Sequence, residues 1–582
     1  MEEKIIRRHL NFIYGESLAP SVEKQILDKV EEFREHRQSE LGSFPEKYFS
    51  QEDVVLITYG DQVRWSRKST LRALNDFLMR FLQNEFNTVH ILPFFPFSSD
   101  DGFAVTDYHS VNPKLGNWND IEKLGTRFNL MFDAVINHIS RQSQWFRRYL
   151  EGDNEFENFF IEVDDSWDLS QIVRPRDNPL LTKVNTATGS RQVWATFSSD
   201  QIDLNYANPG VLVKIIGLLL YYVQEGAKII RLDAIAYLWK KSGTSCINLE
   251  ETHRIVKIFR AVLNLTAPDV ALITETNVPH EQNVSYFGDG EDEAQLVYQF
   301  TLPPLVLHTF ITEDARKLSE WAENLEFPDT DATFFNFLAS HDGIGVRPAE
   351  GILAEGEIDE MVSQTRAHGG KVSYKTDHNE GKSPYELNIT YFDALSDPGG
   401  DEKMKLQVDR FMSSQAIMLA FRGVPGIYFN SLIGARNWVQ GMKETGRKRT
   451  INREKFTQRK LEEELTNPNS LMARVFGRYR ELLRIRKNQK AFHPSSDQQV
   501  LNLGEGVFAL LRVPDDPSEF VLCIHSVAPD KKTIELDLGF EGIRKARGLH
   551  DLISGDSFSL TSERKAEIKL SPYQVAWLEG RR

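Results

Sequence analysis

The sequence has little cysteine, no long apolar run and no excess of positive charge, and each shortage excludes a class of protein. Among 582 residues there are two cysteines, Cys246 and Cys523. They lie too far apart in the chain for a disulfide framework or a cysteine-based metal site. The net charge of -15 argues against broad binding to nucleic acid or anionic membranes. The run at about residues 211–223 contains Lys214 and is too short to cross a bilayer.

Two further absences concern targeting and fold. The first ten residues carry mixed charge and no apolar segment of the kind a secretion signal needs, so we expect a cytoplasmic protein. No glycine-rich G-x-G-x-x-G fingerprint follows the first candidate strand, which argues against a doubly wound dinucleotide-binding fold.

Short apolar runs separated by helical segments are what the sequence does contain. Runs of this kind are typical of strands buried on both faces of a parallel sheet, and alternation with helices predicts an α/β fold. Polar residues gather where the runs end, as on the catalytic face of a (β/α)₈ TIM barrel. The runs cover residues 54–60, 88–94, 129–138, 227–234, 270–277, 331–342 and 424–429.

Changes in pattern along the chain predict its domain organisation. We expect an α/β (β/α)₈ barrel with an inserted domain after the third strand and a C-terminal β-sandwich. The predicted parts are a helical extension at 1–50, the barrel at 51–138 and 208–494, an acceptor-loop insert at about 347–400, the inserted domain at 139–207 and the β domain at 495–582.

Three carboxylates, Asp233, Glu275 and Asp342, each follow an apolar run of strand type. Breaking a glycosidic bond requires paired carboxylates, one to attack or stabilise the sugar cation and one to move a proton. Arg231 stands two residues before Asp233, so alternation places both on one face of the strand, where the arginine would keep the carboxylate ionised. Taken alone, each motif is more simply interpreted as a structural ion pair or a solvated strand end. The three together favour a catalytic site.

Two histidines, His138 and His341, also stand at strand ends beside acidic residues. A lone histidine there is more often a hydrogen-bonded core residue. Two histidines in equivalent positions favour a role as hydrogen-bond donors to sugar hydroxyls.

Four segments together resemble the conserved regions of the α-amylase-type glycoside hydrolase clan. They are D-A-V-I-N-H at 133–138, R-L-D-A at 231–234, E-T-N at 275–277 and S-H-D at 340–342. The resemblance implies that Asp233 is the nucleophile, Glu275 the general acid and base and Asp342 the transition-state stabiliser of a retaining mechanism. It also implies that His138 and His341 bind the glucosyl unit.

Further motifs are similar to the sucrose phosphorylase subfamily, from about residue 50 to the C-terminus. They are the segments at 102–108, 231–237, 241–246, 340–346 and 450–453. By this resemblance Asp107, Arg231, Tyr237 and Arg449 would bind the glucosyl unit, Phe197 and Gln201 would close its pocket, Arg176 would contact the anion, and Tyr385, Glu386 and Asn388 would lie near the acceptor.

The resemblance implies a glucoside phosphorylase with phosphate as a substrate, no cofactor and no metal. The N-terminal extension and the loop at 382–388 depart from sucrose phosphorylase and look more like relatives that cleave glucosylglycerol, glucosylglycerate or sucrose 6-phosphate. Between 371 and 386 three lysines are balanced by three acids, which favours a neutral acceptor. We therefore expect phosphorolysis of glucosylglycerol, with glucosylglycerate, sucrose 6-phosphate and sucrose as alternatives.

Two other classes stay open at this point. One is a hydrolase or transglucosidase of the same fold, which phosphate dependence would distinguish. The other is a non-catalytic sugar-binding relative, which would usually lack a catalytic carboxylate. The sequence does not determine the oligomeric state.

Overall fold

Eight parallel strands close into a barrel in the computed structural model, which describes residues 1–36, 43–175, 178–376, 382–539 and 546–581. The first strand pairs with the second and with the eighth, which closes the ring. All four residues of the first strand are buried, as expected for a strand covered on both faces. The barrel strands are Val55–Thr58, Thr88–Ile91, Asn129–Ala134, Ala227–Leu232, Ala271–Thr274, Leu296–Tyr298, Thr333–Asn336 and Val424–Tyr428.

The predicted barrel is confirmed, and the sixth strand, Leu296–Tyr298, is the one that the apolar runs did not reveal. It has three residues and follows the acidic stretch at 289–293. So short a segment gives no periodicity by itself. Pairing with the fifth and seventh strands defines it.

Helices surround the barrel and follow its strands. Among the described ranges none is long and apolar enough to cross a lipid bilayer. The α-helices are Glu2–Tyr14, Ala19–His36, Thr70–Phe81, Trp118–Gly125, Gln144–Leu150, Pro209–Gln224, Glu250–Thr266, His280–Val284, Leu302–Thr312, Arg316–Glu323, Glu355–Ala367, Tyr391–Leu395, Met404–Ala420, Phe429–Leu432, Val439–Thr445, Gln458–Thr466 and Leu471–Lys487.

The first two helices lie against the outside of the barrel. The Tyr14 hydroxyl donates to the Tyr206 carbonyl at 2.8 Å, and Arg34 donates to the Leu265 carbonyl at 2.8 Å. These contacts join the N-terminal extension to the turn before the helix Pro209–Gln224 and to the helix Glu250–Thr266.

Two excursions leave the catalytic face of the barrel. The run at 129–138, predicted as one strand, is broken after Ala134, and His138–Ser140 pairs instead with Gln201–Asp203. The break occurs because this pairing draws the chain out of the barrel into the insert, whose hairpin is Leu181–Thr186 with Gly189–Trp194. The second excursion is a small sheet of Ile344–Gly345, Lys382–Asn388 and Lys371–Thr376.

The last part of the chain forms two antiparallel sheets with an apolar core between them. Leu522 and Leu578 from one sheet and Ile534 and Ile568 from the other are buried together. The six-stranded sheet runs in the order Asp497–Asn502, Val507–Val513, Val521–Ser526, Val575–Arg581, Gly548–Asp551, Ser557–Ser559, and the second sheet pairs Lys532–Asp537 with Lys565–Leu570.

Arg512 joins this C-terminal domain to the barrel. It is fully buried, and it donates to the carbonyls of Ala420 at 2.8 Å and His493 at 3.0 Å. Ala420 ends the helix before the eighth strand, where unpaired carbonyls carry negative partial charge. Burial lowers the pKa of Arg512 to about 9.

Replacing Arg512 with Met should destabilise the protein by about 2–4 kcal/mol, because buried carbonyls then lose their donors. Urea unfolding followed by circular dichroism measures the effect. The control is Arg459→Met, which removes an exposed arginine paired with Glu463 and should change stability by less than about 0.5 kcal/mol. Equal midpoints for the two variants would contradict this role for Arg512.

Candidate active site

Two neighbouring barrel strands bring Asp233 and Glu275 together. In the parallel register Ile273 lies opposite Arg231 and Thr274 opposite Leu232, so both acids come one step beyond paired positions. The backbone amide of Ala234 donates to Glu275 Oε2 at 2.9 Å. Strand pairing alone therefore places the two carboxylates side by side.

Arg231 lies beneath this pair and contacts both members. Its Nη1 is 2.8 Å from Asp233 Oδ1, and its Nη2 is 3.6 Å from Glu275 Oε1. The same Nη1 pairs with Asp133 on the third strand, whose other oxygen is 2.7 Å from His90 Nε2. Arg231 does not line the cavity, and its two terminal nitrogens are directed at these acids. It is better described as a positioning residue than as the substrate contact that the sequence suggested.

Burial governs the proton balance of the two acids. It raises the pKa of both Asp233 and Glu275 to about 7, opposed in each case by Arg231. Arg231 donates directly to Asp233 and only approaches Glu275, which favours the negative charge on Asp233 and the proton on Glu275. The pair can therefore supply an ionised nucleophile and a protonated acid at neutral pH.

Asp342, beyond the seventh strand, is held by cationic and neutral donors. Its Oδ1 pairs with Arg449 Nη1 and lies 3.4 Å from Arg453 Nη2 and 3.4 Å from His341 Nε2. Burial and, next, the charge of Arg453 lower the pKa of His341 well below its usual value. His341 is thus neutral.

The segment at 448–453 holds two other loops of the catalytic face in place. Asn452 Nδ2 donates to the carbonyl of Ser340 at 2.6 Å and to that of Asp342 at 3.1 Å. Arg453 Nε donates to the His341 carbonyl at 2.8 Å, and its Nη1 donates to Asp101 in the loop after the second strand at 2.5 Å. We call these contacts the Arg453 clamp.

A single cavity contains most of the side chains that the sequence singled out. The three carboxylates line it together with His138, Phe197, Gln201, Tyr237, His341, Tyr385, Glu386 and Arg449.

Aromatic rings form part of the cavity wall. The rings of Phe103 and His341 stack with centroids 4.6 Å apart, and Phe197 packs edge-on against Tyr237 at 5.5 Å. His138 Nε2 lies 2.9 Å from the Phe103 carbonyl. Apolar ring faces beside carboxylates and amides suit a sugar, which has apolar faces and a polar rim.

Asp107 is not part of this cavity, contrary to the expectation from the sequence. Its side chain is 46% exposed, and it accepts hydrogen bonds from the His109 amide at 2.9 Å and from Ser110 Oγ at 2.6 Å. These local turn bonds hold the carboxylate outside. Asp100 lines the cavity instead, in a turn where Asp100 and Asp101 have φ of 53° and 51°, a left-handed conformation that is common at functional sites.

The acceptor segment is placed only in part. Glu386 lines the cavity and accepts from Arg449 Nε at 3.0 Å and Nη2 at 2.5 Å. Asn388, in contrast, lies within the small sheet and donates to Ser373 Oγ at 3.0 Å, so it does not reach the cavity. Arg176, the predicted anion contact, lies outside the described residues.

Several cavity residues were not singled out from the sequence. Asn277, two residues after Glu275, was quoted within a motif without a role, and Gly345 lies so close to it that a Cβ there would come within 2.9 Å of its amide. The aromatic residues among them stand in apolar runs and are predicted from the sequence as hydrophobic core residues. The missed residues include Asp100, Phe103, Thr276, Asn277, Phe300 and Phe337.

Comparison with known proteins agrees with this geometry. The family model described as "Alpha amylase, catalytic domain" matches residues 79–343. The chain is 46% identical to a glucosylglycerate phosphorylase of Spirochaeta thermophila over 98% of both chains, and 40% identical to one of Escherichia coli over the full length of both. A glucosylglycerol phosphorylase of Marinobacter adhaerens is 27% identical over 75% of this chain and 88% of its own.

A solved structure shows the same architecture. The sucrose 6F-phosphate phosphorylase of Thermoanaerobacter thermosaccharolyticum superimposes with a TM-score of 0.71 at 26% identity. The match covers 89% of this chain and 98% of the other. Barrel and C-terminal domain are therefore shared with that enzyme.

Asp100 and Asp107 make a matched pair of substitutions within one loop. Asp100→Asn should lower kcat/KM for glucoside cleavage about 10- to 100-fold, because a cavity carboxylate loses its charge-assisted hydrogen bonds to sugar hydroxyls. Asp107→Asn should stay within about threefold of the unmodified protein, since its carboxylate bonds only to neighbouring turn residues. If steady-state kinetics showed a larger loss of kcat/KM in Asp107→Asn than in Asp100→Asn, Asp107 would again be the expected substrate contact.

Proposed function

This chain belongs to the α-amylase family and is a glucoside phosphorylase, and we propose that its glucoside is α-glucosylglycerate. The reaction would convert glucosylglycerate and phosphate into α-glucose 1-phosphate and glycerate. The observation that carries the proposal is the similarity over 98% or more of the chain to glucosylglycerate phosphorylases at 40–46% identity. The glucosylglycerol phosphorylase is more distant and matches a smaller part of the chain.

The neutral charge of the segment at 371–386 had favoured glucosylglycerol, and the structure explains why that argument is weak. Glu386 pairs with Arg449, which lies outside the segment, and Lys375 pairs with Glu350 at 2.9 Å. Ion pairs that cross between loops decide the field in the cavity, so a charge count along one segment does not measure it.

We assign the first half of the reaction to the three carboxylates. Asp233 attacks the anomeric carbon, the bond from that carbon to the glycerate oxygen breaks, and Glu275 gives its proton to that oxygen. Asp342 stabilises the positive charge that develops on the sugar ring. Retention requires the two carboxyl groups to lie about 5–5.5 Å apart, and one guanidinium in contact with both keeps Asp233 and Glu275 adjacent.

In the second half phosphate enters the space that glycerate has left. A phosphate oxygen attacks the anomeric carbon of the covalent intermediate, and the bond to Asp233 breaks. Glu275, now a carboxylate, takes up the proton of the hydrogen phosphate and is restored to its starting state.

Glu275→Gln should slow cleavage of the glucoside about 10²- to 10⁴-fold, because the amide cannot protonate the leaving oxygen. The variant should regain most of its rate of glucosyl-enzyme formation with α-glucosyl fluoride, whose leaving group needs no proton. Asp233→Asn is the control and should be inactive with both substrates. A Glu275→Gln variant equally slow with the fluoride would contradict the assignment of Glu275 as the acid.

In the unmodified protein kcat/KM should fall as the pH rises past about 7, where Glu275 loses its proton.

Substrate choice can be tested by measuring glucose 1-phosphate from glucosylglycerate, glucosylglycerol, sucrose and sucrose 6-phosphate. We expect kcat/KM for glucosylglycerate to exceed that for glucosylglycerol by about a hundredfold or more, since a site built for a charged group rejects an analogue that lacks it. Release of free glucose at a rate independent of phosphate would instead indicate a hydrolase. A faster reaction with any of the other three glucosides would overturn the assigned substrate.

A further inference from the structure

A lysine is buried where the insert meets the barrel. The Lys240 side chain is 1% exposed, and its Nζ lies 2.5 Å from Asp203 Oδ2 in the insert. The same Nζ donates to Asn137 Oδ1 beyond the third strand at 2.9 Å and to the carbonyl of Tyr237. The three hydrogens of the ammonium group therefore have three oxygen partners.

The ammonium group decides how the side chain of Asn137 is oriented. Lysine can only donate hydrogen bonds, so the Asn137 atom that faces it must be the amide oxygen. The amide nitrogen then faces Asp203 Oδ2 at 3.1 Å and the ring nitrogen Nδ1 of His138 at 3.2 Å. Because a carboxylate can only accept, Asp203 requires the same orientation of the amide as Lys240 does.

This orientation fixes the position of the proton on the His138 ring. An amide nitrogen that faces Nδ1 donates to it, so Nδ1 is bare and the proton of the neutral ring is on Nε2. Burial lowers the pKa of His138, which keeps the ring neutral at pH 7. The protonated Nε2 donates to the carbonyl of Phe103 at 2.9 Å.

The contacts on the other side of the ring do not determine the tautomer by themselves. The side-chain nitrogen of Gln201 lies 3.1 Å from the Phe103 carbonyl and 3.1 Å from His138 Nε2. It can donate to a bare Nε2 and so offset the loss of the bond from Nε2 to the carbonyl. The contacts of Asn137 and Lys240 are therefore the ones that select the tautomer.

Nε2 is the ring nitrogen of His138 on the cavity side. Phe103, Gln201 and His138 line the cavity, and Asn137, on the Nδ1 side, does not. A histidine with its proton on Nε2 offers a hydrogen-bond donor to a glucosyl hydroxyl, whereas a bare Nε2 offers only an acceptor. The tautomer therefore determines what His138 presents to the sugar.

We propose that Lys240 is a positioning residue that acts through Asn137 to hold His138 in the tautomer with its proton on Nε2. Lys240 itself does not line the cavity. The inference concerns the glucosyl part of the site and goes beyond the proposed choice of glycerate, since it does not depend on which acceptor is used.

The test measures formation of α-glucose 1-phosphate from α-glucosyl fluoride and phosphate, which needs no acceptor. Lys240→Met alone leaves the Asp203 carboxylate buried without its cation, which lowers stability whatever the role of the lysine. The decisive variant therefore combines Lys240→Met with Asp203→Asn and leaves no charge unpaired. The new amide at position 203 donates toward Asn137, which turns the Asn137 oxygen to His138 and moves the ring proton to Nδ1.

The double variant should melt within about 5 °C of the unmodified protein, because no buried charge has lost its partner. Its kcat/KM for α-glucosyl fluoride should fall about 10- to 100-fold, the effect of losing a hydrogen-bond donor in a buried site. Recovery of both stability and kcat/KM would mean that the lysine only balances the charge of Asp203, and it would overturn the proposal.

Nitrogen-15 NMR of protein labelled at histidine observes the tautomer directly, because protonated and bare ring nitrogens have well separated resonances. The His138→Gln variant identifies the His138 signals by their loss. The unmodified protein should show a bare Nδ1 and a protonated Nε2, and the double variant should show the reverse. A proton on Nδ1 in the unmodified protein, or the same tautomer in both proteins, would contradict the role of Lys240.

The matched control combines Lys257→Met with Asp292→Asn, which removes an ion pair of 2.5 Å whose two residues do not line the cavity. Its kcat/KM should stay within about threefold of the unmodified protein. An equal fall in the control would show that loss of any such ion pair is responsible, and it would overturn the specific role of Lys240. If the unmodified protein forms no glucose 1-phosphate, the assigned activity fails. If it is active and the double variant keeps the tautomer, only this inference fails.

Discussion

The site depends on one guanidinium that is shared by carboxylates from three adjacent strands. Arg231 on the fourth strand contacts Asp133 on the third, Asp233 at its own end and Glu275 at the end of the fifth. Three acids packed this closely would repel one another and bind extra protons without it. Through the unequal distances to Asp233 and Glu275, the same cation also decides which of the two holds the proton.

Much of this arrangement could be predicted because it is encoded locally. An apolar run that ends in a carboxylate predicts a buried strand whose last side chain faces the catalytic side of the barrel. This pattern identified Asp233, Glu275 and Asp342. The sixth strand escaped notice because three residues carry no pattern. Asp107 was named and Asp100 was not, because a motif shows which acids are near and not which way a left-handed turn directs them.

The remaining features arise from contacts between distant segments. Arg449 and Glu386 are 63 residues apart, and their pairing changes the charge that the acceptor meets. Properties of this kind depend on the absence or presence of a partner in space, which no local pattern records.

The segment at 448–453 joins both parts of the catalytic face. Through the Arg453 clamp it holds the loops at 100–102 and 340–342, which contribute Asp100, His341 and Asp342 to the cavity lining. The strands at 371–376 and 382–388 are held by two other residues of the same segment, since Lys448 donates to the Val372 carbonyl and Arg449 pairs with Glu386. A substitution in this one short segment would therefore disturb the loops on both sides of the cavity together.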